Sequence, residues 1–224
     1  MLREETVTLE MLNLLRELQS ENLFKGFVLA GGTALSLQIG HRKSIDIDLF
    51  STDKHDYSKI REYFISKYNE INIFFYEDFS LQLLVKNIKV DLVSIRGSVL
   101  EIPKTIDGIT LYGLNDISAM KLSAIEGRKR PKDYIDIAYL LKEISLEKML
   151  DNYKAKYDKS DIMSVKKALT EANKVNPFEW EKVDMIKNDI FISDIPKILN
   201  EELLAYNKKH KIGKPKSFFK RFFK

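Results

Sequence analysis

Apolar residues recur along the chain at two spacings, one typical of helices and one typical of strands. Between residues 9 and 20 they recur every three to four positions, which predicts an amphipathic helix. The rest of the first half mixes both spacings, with a possible helix cap at Thr33 and a hairpin predicted around Asn87. Strands are predicted at residues 27–30, 45–50, 71–76, 81–86 and 88–95, and helices at residues 33–39 and 57–68.

The pattern changes after Gly113, where helical spacing replaces the strand-like runs. A helix is predicted from Leu114 to Ile125, and another from Pro131 to about Ile144, because proline is favoured at the first helical position. Helical runs follow at about residues 146–157, 160–173 and 196–208. We therefore predict an α+β fold, with a mixed-sheet domain at residues 1–113 and a helical domain at residues 114–224.

Composition narrows the class of protein. The 224 residues include no cysteine, which excludes a disulfide framework and thiol chemistry. No run of 18 apolar residues occurs, so no transmembrane helix and no membrane partner are expected. The N-terminal segment lacks the basic start and apolar block of a signal peptide. A cytoplasmic location is the resulting expectation.

The net charge of +4 comes from one end of the chain. Residues 207–224 carry eight Lys or Arg and no acid, so the remainder is mildly acidic. Such a basic end can contact RNA or another acidic surface, and it is equally typical of a solvated tail.

Chemistry-bearing residues concentrate between residues 28 and 51. A predicted strand ends at Gly31 and Gly32, and a helix begins there. Glycine lets the backbone approach a phosphate closely, and the unpaired amides at a helix N-terminus attract anions. A Gly-Gly pair before a helix is also common as a plain turn. The pair alone therefore does not decide between a turn and a phosphate site.

Three aspartates provide a stronger signal. Asp46 and Asp48 flank Ile47 in a predicted strand, so both carboxylates point to one face. Asp91 lies in an otherwise apolar strand, and pairing of the two strands would bring all three carboxylates together. A divalent cation would relieve their repulsion, and hard oxygen ligands suit magnesium. Three converging carboxylates fit two-metal phosphoryl chemistry, whereas two that merely face water would be inert.

These residues together resemble a known superfamily. Gly31-Gly32-Thr33, followed by Asp46-Ile47-Asp48 and a later strand aspartate, resembles the polymerase-β-type nucleotidyltransferases. The longer strings at residues 31–51 and 121–141 are similar to one branch, the AbiEii-type toxins of bacterial abortive-infection and toxin–antitoxin systems. The matched pieces cover residues 26–142. The resemblance implies a polymerase-β-like domain that transfers a nucleoside monophosphate from a nucleoside triphosphate (NTP) and releases pyrophosphate.

The resemblance also implies roles for individual residues. Two magnesium ions, or manganese in their place, would lie on Asp46, Asp48 and Asp91, which are the catalytic residues together with Lys121 and Asp133. Nucleotide binding would involve Gly31, Gly32, Thr33, Arg42, Ser44 and Lys121. For the remaining charged residues of these segments we expect supporting positions: Asp136 braces a basic neighbour, His41 has no assigned role, and Arg128, Lys129, Arg130 and Lys132 mostly decorate a helix end.

The acceptor implied by the resemblance is the 3′ end of transfer RNA, with a protein hydroxyl as an alternative. A cognate antitoxin protein is the expected partner. Three rival interpretations remain open: a small-molecule nucleotidyltransferase of the aminoglycoside-modifying kind, a degenerate fold that only binds nucleotides, and a plain RNA-binding protein. In the last case bases would stack on Phe218, Phe219, Phe222 and Phe223, whereas the same residues could instead dock on the body of the protein or on a partner.

Overall fold

A single mixed sheet forms the centre of the molecule. The computed structural model describes residues 1–158 and 161–210. Within these ranges the strands are β1 (Val28–Leu29), β2 (Asp46–Ser51), β3 (Ile71–Glu77), β4 (Ser80–Val85), β5 (Ile88–Ser94), β6 (Lys104–Ile106) and β7 (Ile109–Leu111). They lie side by side in the order β3-β4-β5-β2-β1-β7-β6. The predicted α+β fold with a mixed sheet is confirmed.

Helices pack against this sheet and form the second half of the described chain. They are α1 (Leu9–Ser20), α2 (Gly31–Ile39), α3 (Tyr57–Lys67), α4 (Leu114–Gly127), α5 (Pro131–Leu140), α6 (Leu146–Tyr157), α7 (Met163–Thr170), α8 (Pro177–Trp180) and α9 (Ile195–Lys209). Helix α2 packs on β2, α4 and α5, and α4 packs on α5, α6 and α7. No helix in the described ranges is long and apolar enough to cross a membrane.

The strands that matter for the site are β2 and β5, which run parallel. Their central apolar residues are fully buried, and the alternate residues face a partly open side of the sheet. Strands β4 and β5 form the predicted hairpin around Asn87. Its two turn residues, Lys86 and Asn87, have φ values of 50° and 64°, as expected for the turn that best matches the twist of paired strands.

A second hairpin was absent from the sequence predictions. Strands β6 and β7 pair around Asp107 and Gly108, whose φ values are 53° and 80°. Asp-Gly between short apolar runs is a strong hairpin signal, so this pair could have been found in the sequence. Strand β7 pairs in parallel with β1, which leaves β6 as the edge strand on that side of the sheet.

Several predicted helix ends differ from the observed ones. Helix α2 begins at Gly31, so Thr33 lies inside its first turn and does not cap it. Helix α5 begins at Pro131 as predicted but ends at Leu140, after which a turn continues to Ile144. Helix α7 is shorter than predicted, whereas α1 and α6 have the predicted bounds.

The observed change from strands to helices agrees with the predicted change from strand-like to helical spacing at Gly113. All strands of the described ranges end by Leu111, and only helices follow. The buried apolar residues before and after this point nevertheless form one continuous cluster, because α2 packs directly on α4 and α5. The division into domains at residues 1–113 and 114–224 stays a prediction, and residues 211–224, with the four tail phenylalanines, lie outside the described ranges.

A buried ion pair fixes the connection between β5 and β6 to the helices. The Asp116 carboxylate is fully buried at the start of α4 and accepts hydrogen bonds from the amides of Leu100 and Glu101, each at 3.1 Å. It also accepts one from Lys156 Nζ on α6 at 2.6 Å. Because both charges are buried, each depends on the other for solvation.

Removing the Asp116 carboxylate should therefore destabilise the fold. We expect Asp116→Ala to lower the free energy of unfolding by about 3–5 kcal/mol, because the Lys156 ammonium is left buried without its partner. Urea denaturation measures the difference. The matched control is Asp151→Ala, which breaks the exposed pair between Asp151 and Lys154 and should cost about 0.5 kcal/mol or less. Similar costs for the two variants would contradict the interpretation.

Candidate active site

The three predicted carboxylates share one face of the sheet. The parallel register of β2 and β5 places Asp48 beside Asp91, and Asp46 beside Lys89. Residues two apart on a strand point to the same face, so these four side chains form a two-by-two square. Neighbouring strands lie about 4.8 Å apart, which puts the carboxylates within reach of a common cation. The predicted convergence of Asp46, Asp48 and Asp91 is observed.

The Gly31-Gly32 pair is required by close packing at this face. Gly31 has φ +67°, and a Cβ atom there would lie 2.0 Å from Asp48 Oδ2. A Cβ atom on Gly32 would lie 2.2 Å from a terminal nitrogen of Arg42. The Ala30 amide donates to the Asp48 carbonyl at 2.8 Å, which fixes the start of α2 against β2. The glycines therefore let the first turn of α2 lie directly beside the acidic face.

Thr33 and Ser44 tie α2 to the strand below it. The buried Thr33 hydroxyl contacts the Ser44 hydroxyl at 2.9 Å and donates to the Asp46 carbonyl. Their side chains therefore position the loop before β2. Their predicted contact with a nucleotide stays a prediction.

A buried network of charges lies beside the acidic face, centred on Asp136 of α5. Arg42 donates to both carboxylate oxygens of Asp136, at 2.7 and 2.9 Å, and His41 Nε2 donates to one of them at 2.7 Å. Lys121 Nζ of α4 lies 2.5 Å from the same carboxylate. Burial alone would raise the pKa of Asp136, but the charges of Arg42 and Lys121 hold it well below its usual value. Asp136 therefore braces three basic groups, more than the single neighbour expected.

His41, which had no assigned role, belongs to this network. Burial lowers the pKa of its imidazole, and among the described residues its Nδ1 has no hydrogen-bond partner. The ring is therefore neutral and carries its proton on Nε2, from which it donates a hydrogen bond to Asp136.

Asp133 completes the network from the first turn of α5. Lys121 Nζ lies 3.0 Å from Asp133 Oδ1, and Arg128 Nε donates to Asp133 Oδ2 at 2.9 Å. Burial opposes ionisation of Asp133, but the Lys121 charge and the Arg128 hydrogen bond lower its pKa overall. The Lys121 ammonium is 4% exposed and lies between two buried carboxylates, so moving it would take one cationic partner from each carboxylate and both partners from the ammonium.

The acidic face itself is under electrostatic strain. Burial and the neighbouring Asp91 raise the pKa of Asp48 to about 6. Among the described residues, the buried Oδ1 atom of Asp91 has no hydrogen-bond partner. Both observations fit a divalent cation, which would supply the missing partner and offset the repulsion. The chemistry of the carboxylate set therefore fits a magnesium or manganese ion.

Two lysines contact the carboxylates in place of such an ion. Lys132 Nζ of α5 donates to Asp46 Oδ2 at 3.1 Å, and Lys89 donates to Asp91. Within residues 1–158 and 161–210, no group of three or more His, Cys, Asp or Glu side chains is already arranged around a metal position.

The basic residues after α4 do more than decorate a helix end. Arg128, Arg130 and Lys132 line the same small pocket as the carboxylates, whereas Lys129 pairs with Glu171 on the outside. Lys89 also lines this pocket and was missed in the sequence, although its position two residues before Asp91 was a usable signal. The complete lining is Gly32, Arg42, Ser44, Asp46, Asp48, Lys89, Asp91, Lys121, Arg128, Arg130 and Lys132.

Comparison with known families identifies the family to which this chain belongs. The sequence model of the family described as nucleotidyl transferase AbiEii toxin, type IV toxin–antitoxin system, matches residues 13–200. The chain belongs to the AbiEii family. The predicted membership is confirmed, and the chain is a nucleotidyltransferase. Family membership also implies a nucleotide substrate and an antitoxin partner.

Individual proteins share part of the sequence or the fold of this chain. The AbiEii-family chain is 31% identical over 165 residues to the uncharacterized protein aq_aa25 of Aquifex aeolicus (strain VF5), covering 69% of this chain and 78% of that protein. The structure of JHP933 from Helicobacter pylori matches with a TM-score of 0.57 and 18% identity, over 91% and 94% of the two chains. The nucleotidyltransferase toxin MenT4 (Rv2826c) of Mycobacterium tuberculosis H37Rv matches with a TM-score of 0.53 and 11% identity, over 87% and 80%. These two structures show a shared fold.

Gly31 should be irreplaceable in this AbiEii-family enzyme. We expect Gly31→Ala to lower nucleotide transfer by at least about 100-fold, because the new methyl group displaces the Asp48 carboxylate. Its cost in stability, about 1–2 kcal/mol for a left-handed backbone, is much smaller. Transfer assays and urea denaturation measure the two effects. Gly127→Ala is the control, since a Cβ atom there meets nothing within 4 Å; equal activity of the two variants would refute the close-packing argument.

The raised pKa of Asp48 predicts that the stability of the fold depends on pH. In the folded chain Asp48 holds its proton up to about pH 6, whereas in the unfolded chain it loses it near pH 4, so this residue costs stability as the pH rises through that range. With a chelator present, Asp48→Asn should be more stable than the wild type by about 1–3 kcal/mol at pH 7.5 and equally stable near pH 4. Urea denaturation at both pH values tests this. A constant difference between the two proteins would contradict it.

Proposed function

We propose that this AbiEii-family enzyme transfers a nucleoside monophosphate from an NTP to an RNA hydroxyl in a metal-dependent reaction. The observation that carries the proposal is the square of β2 and β5 residues, where three carboxylates meet beside a rim of cations. The three carboxylates suit a metal that holds the donor phosphates, and the rim of cations suits a polyanionic acceptor.

Asp46, Asp48 and Asp91 are the proposed ligands of the magnesium or manganese ions. A bound divalent ion would neutralise the donor triphosphate and lower the pKa of the attacking hydroxyl. The high pKa of Asp48 supports this assignment, and so does the Oδ1 atom of Asp91, which has no hydrogen-bond partner in the part of the chain that the structure describes. A cation would remove both costs.

The first turn of α2 is the proposed cradle for the donor phosphates. The amides of Gly31, Gly32 and Thr33 precede the first backbone hydrogen bond of the helix, which Ala34 donates to Ala30 at 3.2 Å. Such amides attract anions, and the two glycines let this turn lie directly beside the acidic face, where the metal would bind. The side chains of Arg42 and Ser44 pack beside Gly32 and position this turn.

The proposed transfer conserves atoms and charge in one displacement. The acceptor hydroxyl oxygen bonds to the α-phosphorus, the bond from that phosphorus to the bridging oxygen breaks, and pyrophosphate leaves. The hydroxyl proton passes to a carboxylate oxygen of the acidic face that does not hold the metal. Lys121, held by Asp133 and Asp136, contributes a fixed positive charge whose field reaches Asp48.

The cations around the pocket support RNA as the acceptor. Arg128, Arg130 and Lys132 follow one another along the turn between α4 and α5, beside the carboxylates. A rim of this sign attracts a phosphate backbone, whereas the cationic drugs of antibiotic nucleotidyltransferases need an acidic pocket. We propose the 3′ end of transfer RNA as the specific acceptor, in keeping with the resemblance of residues 31–51 and 121–141 to the toxin branch.

The test is a labelling reaction with a matched pair of variants. Purified protein is incubated with each α-labelled NTP, magnesium and total RNA, and the products are separated by size. We expect label on transfer-RNA-sized molecules with the preferred NTP. Asp46→Asn should reduce it by at least about 100-fold, because a metal ligand is lost. Asp151→Asn, which neutralises an exposed carboxylate on α6, should leave it unchanged.

Each alternative gives a distinct outcome. Label on protein alone would move the acceptor to a side-chain hydroxyl, and label that persists with a chelator would refute metal dependence. Equal labelling by Asp46→Asn and Asp151→Asn would refute the assignment of the acidic face.

A further inference from the structure

The fourth corner of the acidic square is a lysine. Lys89 lies beside Asp46 across the parallel strands and two residues before Asp91 on its own strand, and it donates to Asp91. A cation at this corner faces the same side as all three carboxylates. Its ammonium therefore lies at the edge of the position that a metal bound to these groups would take.

Lys132, from helix α5, also contacts a carboxylate of this square. Lys132 lies in the first turn of α5, next to Asp133, and its Nζ lies 3.1 Å from Asp46 Oδ2. Lys89 and Lys132 thus approach the square from two different elements and contact two different carboxylates. Together they compensate two of its three negative charges.

These two lysines differ from Lys121 in how firmly they are held. The side chain of Lys89 is 40% exposed and that of Lys132 is 34% exposed, whereas that of Lys121 is 4% exposed. Each of the exposed lysines has one carboxylate partner, and partly exposed pairs of this kind contribute little to stability. Lys89 and Lys132 can therefore leave their partners at little cost, whereas Lys121 cannot.

We propose that Lys89 and Lys132 are exchangeable cations. In the metal-free enzyme they hold Asp91 and Asp46, and when a divalent cation takes those carboxylates the two ammonium groups move to the phosphates of the donor. This inference rests on the proposed metal-dependent function and adds two phosphate ligands to it.

The exchange makes donor binding follow metal binding. Asp46, Asp48 and Asp91 together with their two paired ammonium groups carry one net negative charge, so the phosphates of a donor meet no net positive charge at this face until a divalent ion binds. One divalent ion changes that net charge to positive and releases two ammonium groups, each a strong point charge for phosphate oxygens. Lys89 and Lys132 therefore oppose metal binding in the absence of donor and favour donor binding in the presence of metal.

Two binding measurements with full-length protein test this pair of opposite effects. Calorimetry first measures manganese binding to the wild type, Lys89→Gln and Lys132→Gln, and then tripolyphosphate binding to the manganese-loaded proteins. We expect manganese to bind each variant about 2- to 5-fold more tightly, because a competing cation is gone. Tripolyphosphate should bind each variant at least about 5-fold more weakly, because a phosphate ligand is lost.

Lys154→Gln is the matched control, because Lys154 is 36% exposed and pairs with Asp151 at 3.2 Å, much as Lys132 pairs with Asp46. It should leave both affinities unchanged. Variants of Lys89 and Lys132 that match this control, or that weaken both ligands together, would overturn the exchange. Absence of manganese binding to the wild type would instead overturn the proposed metal-dependent function.

Chemical reactivity provides an independent readout of the movement. Acetylation of the wild type, followed by mass spectrometry, should modify Lys89 and Lys132 several-fold faster after manganese is added and more slowly again after tripolyphosphate. Lys154 should react at a constant rate. Constant reactivity of Lys89 and Lys132 in a protein that binds manganese would overturn the proposal.

Discussion

The buried carboxylate of Asp136 joins the two halves of the chain at the active site. It accepts hydrogen bonds from His41 and Arg42, which lie between α2 and β2, and it contacts Lys121 on α4. A carboxylate this deeply buried is tolerable only because it is paired on every side, and its partners need it equally. The positions of the glycine turn, the acidic strand and the Lys121 ammonium thus all depend on one side chain of α5.

Opposite charges around this centre are divided between fixed and movable groups. The fixed group is buried and consists of Arg42, Lys121, Asp133 and Asp136, whose geometry is set by packing and paired hydrogen bonds. The movable cations sit at the partly exposed rim. A rigid interior with an adaptable rim suits an enzyme that must admit a highly charged donor and a large acceptor while holding the reacting groups still.

Much of this arrangement could be predicted from the sequence, because it depends on local patterns. Strand periodicity placed Asp46 and Asp48 on one face, and the apolar run around Asp91 identified its strand. The contact between Lys132 and Asp46 could not be predicted, since it spans 86 positions and depends on how α5 packs against the sheet. The cap assigned to Thr33 was wrong because Gly31, with its left-handed backbone, starts the helix two residues earlier. Local chemistry was therefore visible, whereas the partners of each charged group depended on tertiary packing.

The parallel pairing of β2 and β5 has a consequence for the synthesis of the protein. These strands are neighbours in the sheet, yet residues 52–87 separate them along the chain, and the helix that carries Asp133 and Asp136 comes later still. A nascent chain that stops before α5 leaves Arg42 and Lys121 without the carboxylates that hold them. Contacts between distant segments form only after the intervening chain exists. A chain released before α5 therefore lacks the buried carboxylates that hold Arg42 and Lys121, so the candidate site can assemble only after most of the chain has been made.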